Sequence, residues 1–197
     1  MIKLAIIYYS QTGHNLQMAK WAKEAAEELN CEVRVRKVHE YKEVTEENDN
    51  PGWQKTRELE KDIKEATLDD IEWADAILFS TATRFGNMAF QLKAFLDSTG
   101  SLWGKGKTVN KVVSAMSTAQ NVNGGVESAI QEIYRSMMHW GAIIVPIGYA
   151  DKSVFDQGGN PYGASGNATF TSFTNEVEPA VKFQTKRLVQ IAEKIAK

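Results

Sequence analysis

This chain has almost no cysteine. Cys31 is the only one among 197 residues, which rules out an internal disulfide and points to a reducing compartment. Lying beside a strand pattern, that thiol is read as inert packing. Neither sign of charge is in excess: 23 basic and 25 acidic residues leave a net charge of −2. There is no basic footprint for nucleic acid and no polybasic membrane patch. Nor is there the strongly acidic surface of a carrier that steers toward basic electron-transfer partners. No apolar stretch approaches the roughly 18 residues needed to span a bilayer. The chain opens directly on a strand pattern rather than on a secretory signal. With one Cys and no His-x-x-x-His, no metal site is expected, and His39 and His139 stand without partners at ligand spacing. Repeats, low-complexity tracts and linkers between cores are missing as well. The expectation is a cytoplasmic protein with residues 1–197 in one domain, large enough for an open sheet covered on both sides.

Absences also define the first loop. The apolar run Leu4-Ala5-Ile6-Ile7-Tyr8-Tyr9 reads as a buried strand. It ends in Ser10-Gln11-Thr12-Gly13-His14-Asn15, and a helical stripe follows at Leu16, Ala19, Ala22 and Ala26. The loop lacks both Gly-x-x-x-x-Gly-Lys-Ser/Thr and Gly-x-Gly-x-x-Gly, and it holds no Lys or Arg. Such a neutral loop can hold an anion only by hydrogen bonds, worth roughly 1.5–3 kcal/mol each to a charged acceptor. The helix dipole adds about 0.3–1 kcal/mol, so donor geometry outweighs field. This suits a single terminal phosphate at a helix N-terminus. The alternative is a polar turn in which Ser10 or Thr12 merely caps the helix. Gly106-Lys107-Thr108 mimics the end of a P-loop but precedes a strand, and is rejected.

Strand and helix patterns alternate along the rest of the chain. Residues 32–38 alternate Val with charge and read as a half-exposed edge strand. Residues 40–67 read as a polar excursion with a turn at Asn48-Asp49-Asn50-Pro51-Gly52 and a short helix near 56–66. Strands are predicted at 76–80, 111–117 and 143–145, the last stopped by Pro146, and helices at 88–98, 126–140 and 175–196. Residues 81–87, 100–106, 118–125 and 151–173 read as loops. Five β–α units give an α/β fold with a doubly wound, mostly parallel sheet. The flavodoxin-like order 2-1-3-4-5 places a ligand crevice at the carboxyl ends of the strands. Three loops would converge there: Ser10–Asn15, Thr81–Asn87 and Ser117–Gly125. One loop for a phosphate and two for a flat, hydrogen-bonding ring describe a flavin mononucleotide (FMN) site, or else three ordinary polar turns.

The chain resembles the WrbA-type NAD(P)H:quinone oxidoreductases of the flavodoxin-like superfamily. The resemblance rests on Tyr8-Tyr9-Ser10 with Gly13-His14, Thr83-Arg84-Phe85-Gly86-Asn87, and Phe95-Leu96-Asp97-Ser98-Thr99-Gly100 with Leu102-Trp103. It continues through Val145-Pro146-Ile147-Gly148-Tyr149, Phe155-Asp156, Gly158-Gly159 and Pro161-Tyr162-Gly163-Ala164, in family order over most of the chain. It implies FMN as cofactor, with two electrons passing from NAD(P)H to a quinone. The phosphate would lie on Ser10, Gln11, Thr12, Gly13, His14 and Asn15. Thr83, Arg84, Phe85 and Gly86 would line the isoalloxazine. Ser117, Thr118, Ala119, Gln120 and Gly124 would take the ribityl chain and ring edge. Trp103 would meet the nicotinamide or quinone, and Trp140 stands where the family often has a flavin-contacting His. A second departure is Ala119-Gln120-Asn121-Val122-Asn123, which intervenes where the family has a Gly-rich run.

No side chain is expected to act as a nucleophile, because the flavin carries the chemistry. Phe85, Trp103, Tyr149 and Tyr162 are candidates for a flat apolar slot. Arg84 would either stabilise charge on reduced flavin or pair with a carboxylate. One pocket used in turn by both substrates predicts ping-pong kinetics. The resemblance also implies a homotetramer, with residues 100–106 and 151–173 meeting neighbouring flavin sites. The rival readings are a one-electron carrier and a non-catalytic interaction module.

Overall fold

The computed structural model describes residues 1–41, 51–169 and 172–196. The chain runs β1 (Lys3–Tyr8), α1 (His14–Glu27), β2 (Glu32–Lys37), α2 (Pro51–Leu59), α3 (Leu68–Trp73), β3 (Ala76–Arg84), β4 (Asn87–Met88) and α4 (Phe90–Ser98). It continues with α5 (Gly100–Gly104), β5 (Val112–Ala119), α6 (Val126–Trp140), β6 (Ile143–Ile144), α7 (Lys152–Asp156), β7 (Ser165–Asn167) and α8 (Glu178–Ile195). The sheet order is β2-β1-β3-β5-β6, parallel throughout this path. Counting only these parallel strands, this is the expected 2-1-3-4-5 order, with β2 at the edge.

Period-two alternation divides the core. Leu4, Ile6 and Tyr8 of β1 pack with α1 and α8, whereas Ala5 and Ile7 pack with α3, α4 and α6. Both faces are therefore covered, as a parallel sheet requires.

Four expected loops or boundaries differ. Strand β3 runs on to Arg84 and turns back into β4 through Phe85 and Gly86, with φ of 50° and 80°. Two consecutive positive φ values suit a tight two-residue hairpin. Residues 100–104 form α5 rather than loop, anchored by buried Leu102. The helix expected near 56–66 starts instead at Pro51, whose fixed φ suits a first helical turn. The preceding Asn48-Asp49-Asn50 lies outside the described residues.

The largest difference is within 151–173, which contains α7 and β7. Strand β6 pairs with Val112–Val113 and β7 with Ser117–Ala119, both on the β5 edge left free by β3. The fifth strand position is thus split, with the intervening chain inserted between its two halves.

Edge strand β2 is held by charge as well as by its ladder. Buried Asp70 accepts from Arg34 Nη1 at 3.2 Å and from Arg36 Nε at 3.0 Å. Asp70 also closes the capping box of α3, accepting from Thr67 N and Oγ1 at 3.0 Å each. Arg34 stacks over Trp73 at 4.0 Å. Asp70→Ala strips a buried acceptor from two guanidinium groups and a helix cap. It is expected to cost about 2–4 kcal/mol, read by urea unfolding.

Glu60, just beyond α2, is 7% exposed. Burial pushes its carboxyl up to about 7, against the opposing pull of the Tyr8 hydroxyl and Lys37 ammonium. The folded state therefore holds this proton more tightly than the unfolded chain. Its contribution to stability is full below about 4.5 and is lost as pH rises through about 7. Thermal melts of Glu60→Gln should show a flatter decline between pH 5 and 8 than the parent protein, a difference on the order of 2 kcal/mol.

Candidate functional site

A cavity of about 230 Å³ lies at the carboxyl ends of β1, β3 and β5. Its lining includes Ser10, Gln11, Thr12, His14 and Asn15 from the first loop, Thr83 and Arg84 from β3, and Thr118, Ala119 and Gln120 from the end of β5. Three segments far apart in sequence thus meet as expected.

They are tied together by one buried amide. In the orientation that satisfies both of its ends, Asn15 Nδ2 donates to Ser80 Oγ at 2.8 Å and to Thr81 O at 3.2 Å. Its Oδ1 accepts from Thr118 Oγ1 at 2.8 Å and from Ala82 N at 3.2 Å. A second tie crosses the mouth, where the Arg84 guanidinium donates to Gln11 Oε1. Arg84 forms no ion pair with a carboxylate among the described residues, and it is the only charged side chain among those lining the cavity.

The first loop keeps its donors open. Gly13 is the N-cap of α1 with φ 88°, a left-handed conformation that favours glycine. A Cβ there would also come within 3.3 Å of Thr56 Oγ1. Among the described residues, the backbone N–H groups of Ser10 to Asn15 donate to no protein acceptor. Ser10 Oγ is buried and has no hydrogen-bond partner. A buried hydroxyl without a partner is costly, and with the adjoining open N–H groups it fits a phosphate supplied from outside. Burial holds the His14 imidazole below its ordinary pKa, against the opposing effect of the Ser172 backbone. The ring sits 3.1 Å from Thr12 Oγ1 and edge-on to Phe173. His14 is therefore uncharged at neutral pH, and the cradle is neutral as its sequence implies.

Other expected site residues sit differently. Ser117 is buried beneath the cavity, donating to Thr81 O at 2.9 Å and lying 3.0 Å from Thr83 Oγ1. Gly86 and Gly124 do not line the cavity. A Cβ on neighbouring Gly125 would meet Gly86 Cα at 2.8 Å, so the loops after β3 and β5 pack backbone to backbone. Phe85 is fully exposed at its hairpin tip.

Trp103 and Trp140 do not reach the cavity of their own chain. Trp103 donates to His139 O at 2.9 Å, and Trp140 O accepts from Thr108. These contacts surround the start of β5, roughly 20 Å along that strand from its carboxyl end. Trp140 is packed in the core, edge-on to Phe79. The apolar slot is also corrected, because Tyr149 stacks on Phe155 and neither it nor Tyr162 lines the cavity.

Ala82, from the expected second loop, lines the cavity as well, and Ala168 and Thr169 line it without having been named as residues of their own chain's site. The last two arrive through β7: Ala168 N donates to Ala119 O at 2.9 Å, extending the β5 ladder. Nothing local in their sequence marks them. Only the returning half-strand brings them to the site.

A parallel sheet in this order, with an open-donor loop after its first strand, defines a flavodoxin-like α/β protein. The family model for NADPH-dependent FMN reductase matches residues 2–154, and the chain belongs to that family. It is 44% identical over 194 residues to an NAD(P)H dehydrogenase (quinone) of Deinococcus radiodurans, covering 98% of this chain and 97% of the relative. The relative of the same name in Brucella ovis is 38% identical over 203 residues, covering 99% of each chain. Among solved structures, a flavodoxin, WrbA-like protein from Agrobacterium tumefaciens superposes with TM-score 0.69 at 20% identity, covering 98% of this chain and 99% of the other. The FerB flavoenzyme NAD(P)H:(acceptor) oxidoreductase of Paracoccus denitrificans gives TM-score 0.58 at 17% identity, covering 100% and 98%. At these identities the superpositions speak to fold alone. The chain is an FMN-dependent oxidoreductase of this family.

Because Ser10 Oγ has no partner in the protein, Ser10→Ala should leave the melting temperature of the apoprotein unchanged. It should weaken FMN binding about tenfold or more, read by flavin fluorescence quenching. Asn15→Ala should lower both, costing about 2 kcal/mol of stability, since four buried partners lose their bonds.

Proposed function

We propose that this protein transfers two electrons from NAD(P)H to a quinone, with both substrates using one opening in turn. The observation that carries this reading is the convergence of three donor-rich loops on one cavity, in a chain 44% identical along nearly its whole length to an NAD(P)H dehydrogenase (quinone). FMN supplies hydride acceptance and donation when bound. Ser10 Oγ and the N–H groups of residues 10–15 grip its phosphate. Gln11 fixes the Arg84 guanidinium at the cavity, where a cation favours negative charge on a reduced ring. The pairing with Gln11 rather than a carboxylate supports this role for Arg84. Thr118, Ala119 and Gln120 offer polar contacts from the end of β5, and Ala168 and Thr169 complete the lining beside them. No side chain serves as a nucleophile.

Residues 1–197 act as one flavodoxin-like domain. We place it in the cytoplasm, on the lone Cys31 and the low net charge. No helix among the described residues is long and apolar enough to cross a membrane, and no candidate metal cluster is present among them. Exposed Trp103, Val109 and Met138 at the pole opposite the cavity, with Phe85 and Val122 near its mouth, support self-association into a tetramer. Trp103 would then serve a neighbouring copy's site rather than its own. Under anaerobic conditions, NAD(P)H should bleach the flavin absorbance, and benzoquinone should restore it without an accumulating semiquinone. Initial-rate plots at several fixed quinone concentrations should be parallel. Intersecting lines would remove the shared opening, and a persistent semiquinone would favour one-electron transfer.

A further inference from the structure

A second cavity, of about 220 Å³, lies between the end of β1, the chain leaving β2, and α2. Among the described residues it shares only Ser10 with the flavin cavity. Apart from Ser10 Oγ, three buried side-chain atoms among the described residues lack a hydrogen-bond partner: Tyr8 Oη, Arg57 Nη2 and Glu60 Oε1. All three residues line this cavity. Tyr8 is fully buried and Glu60 is 7% exposed. Tyr8 faces Glu60 without reaching hydrogen-bond geometry.

Nearby polar groups are already committed. Lys37 Nζ donates to Glu60 O at 2.9 Å, His39 Nδ1 lies 3.1 Å from the Glu65 carboxylate, and Tyr9 Oη donates to Glu40 at 3.1 Å. The Arg57 guanidinium lies 4.7 Å over the Trp53 ring, which makes one wall flat and apolar.

The three open atoms specify an occupant. Above about pH 7, where Glu60 is ionised, an anion would satisfy Arg57 and Tyr8 but face a carboxylate, and a cation would do the reverse. A neutral group with an acceptor beside a donor satisfies all three. Its oxygen takes the Arg57 and Tyr8 protons, and its N–H donates to Glu60. A cavity of roughly 150 Å³ holds benzene, so this one has room for a ring bearing such a group.

We propose that this cavity is a binding site for a small, planar, uncharged molecule with an amide edge, either a primary carboxamide or a lactam. The site is separate from the flavin site and does not depend on the proposed reaction.

Benzamide is the probe, with benzoate and benzylamine as charged controls, added at pH 8.5 to FMN-supplemented full-length protein so that Glu60 is ionised. Amide chemical-shift mapping should show saturable benzamide binding centred on Tyr8, Trp53, Arg57 and Glu60. Both controls should bind at least tenfold more weakly. Tyr8→Phe, which removes a hydroxyl without a protein partner, should weaken benzamide at least tenfold while FMN stays bound. The proposal is overturned by an absence of saturation at roughly 10 mM benzamide, by shifts confined to Ser10–Asn15 and Gln120, by equal binding of benzoate, or by unchanged affinity in Tyr8→Phe.

Discussion

The buried amide of Asn15 is the constraint on which the rest of the site depends. It sits at the start of α1 and bonds to residues 65 and 103 positions further along the chain. Each bond alone is worth about 1 kcal/mol. Together they hold the ends of β1, β3 and β5 in one register in a setting that excludes water. A half-satisfied version of this network would be costly, so the three loops are arranged as a unit or not at all. Preorganisation of this kind matters for a cofactor site, because donors already in place lose little freedom when the anion arrives.

The cradle works without a resident cation in its first loop. Its open N–H groups and the unpaired Ser10 hydroxyl point where a phosphate would lie, and His14 is kept neutral by burial. Among the described residues the one cation lining the cavity is Arg84 from β3, whose guanidinium donates to Gln11. Anion binding and charge stabilisation are thereby separated. In the proposed reading, hydrogen bonds would grip one end of the ligand and the guanidinium tethered across the mouth would act at another.

The split fifth strand gives the fold its particular shape at the site. A continuous strand would fill the free edge of β5 and end the sheet. Instead β6 stops before Pro146, and the chain returns as β7 beside Ser117–Ala119. Residues 168 and 169 follow directly into the cavity wall, and Phe173 packs back onto His14 and Trp21. The insertion is therefore tied to the sheet, to the cavity and to the first helix of the fold.

The fold class, the strand order and the three converging loops were legible in the sequence. Apolar runs, helical stripes and hydroxyl-rich turns are local patterns, and chain connectivity allows few ways to stack them. The neutral character of the first loop was legible for the same reason, since its residue types alone exclude a charge-based grip. What stayed hidden depended on pairing at a distance. The polar composition of 151–173 says loop, and only the free edge of β5 turns Ser165–Asn167 into a strand. Trp103 and Trp140 carry no local sign of which pole they occupy, because that follows from the antiparallel run of α6 against β5. The pairing of Arg84 with Gln11 rather than a carboxylate was likewise a tertiary outcome. Residue identity determined which chemistry this chain could perform at the end of its first strand, and only the closing of the sheet decided which side chains stand around it, because a side chain's neighbours are set by the backbone that folds against it.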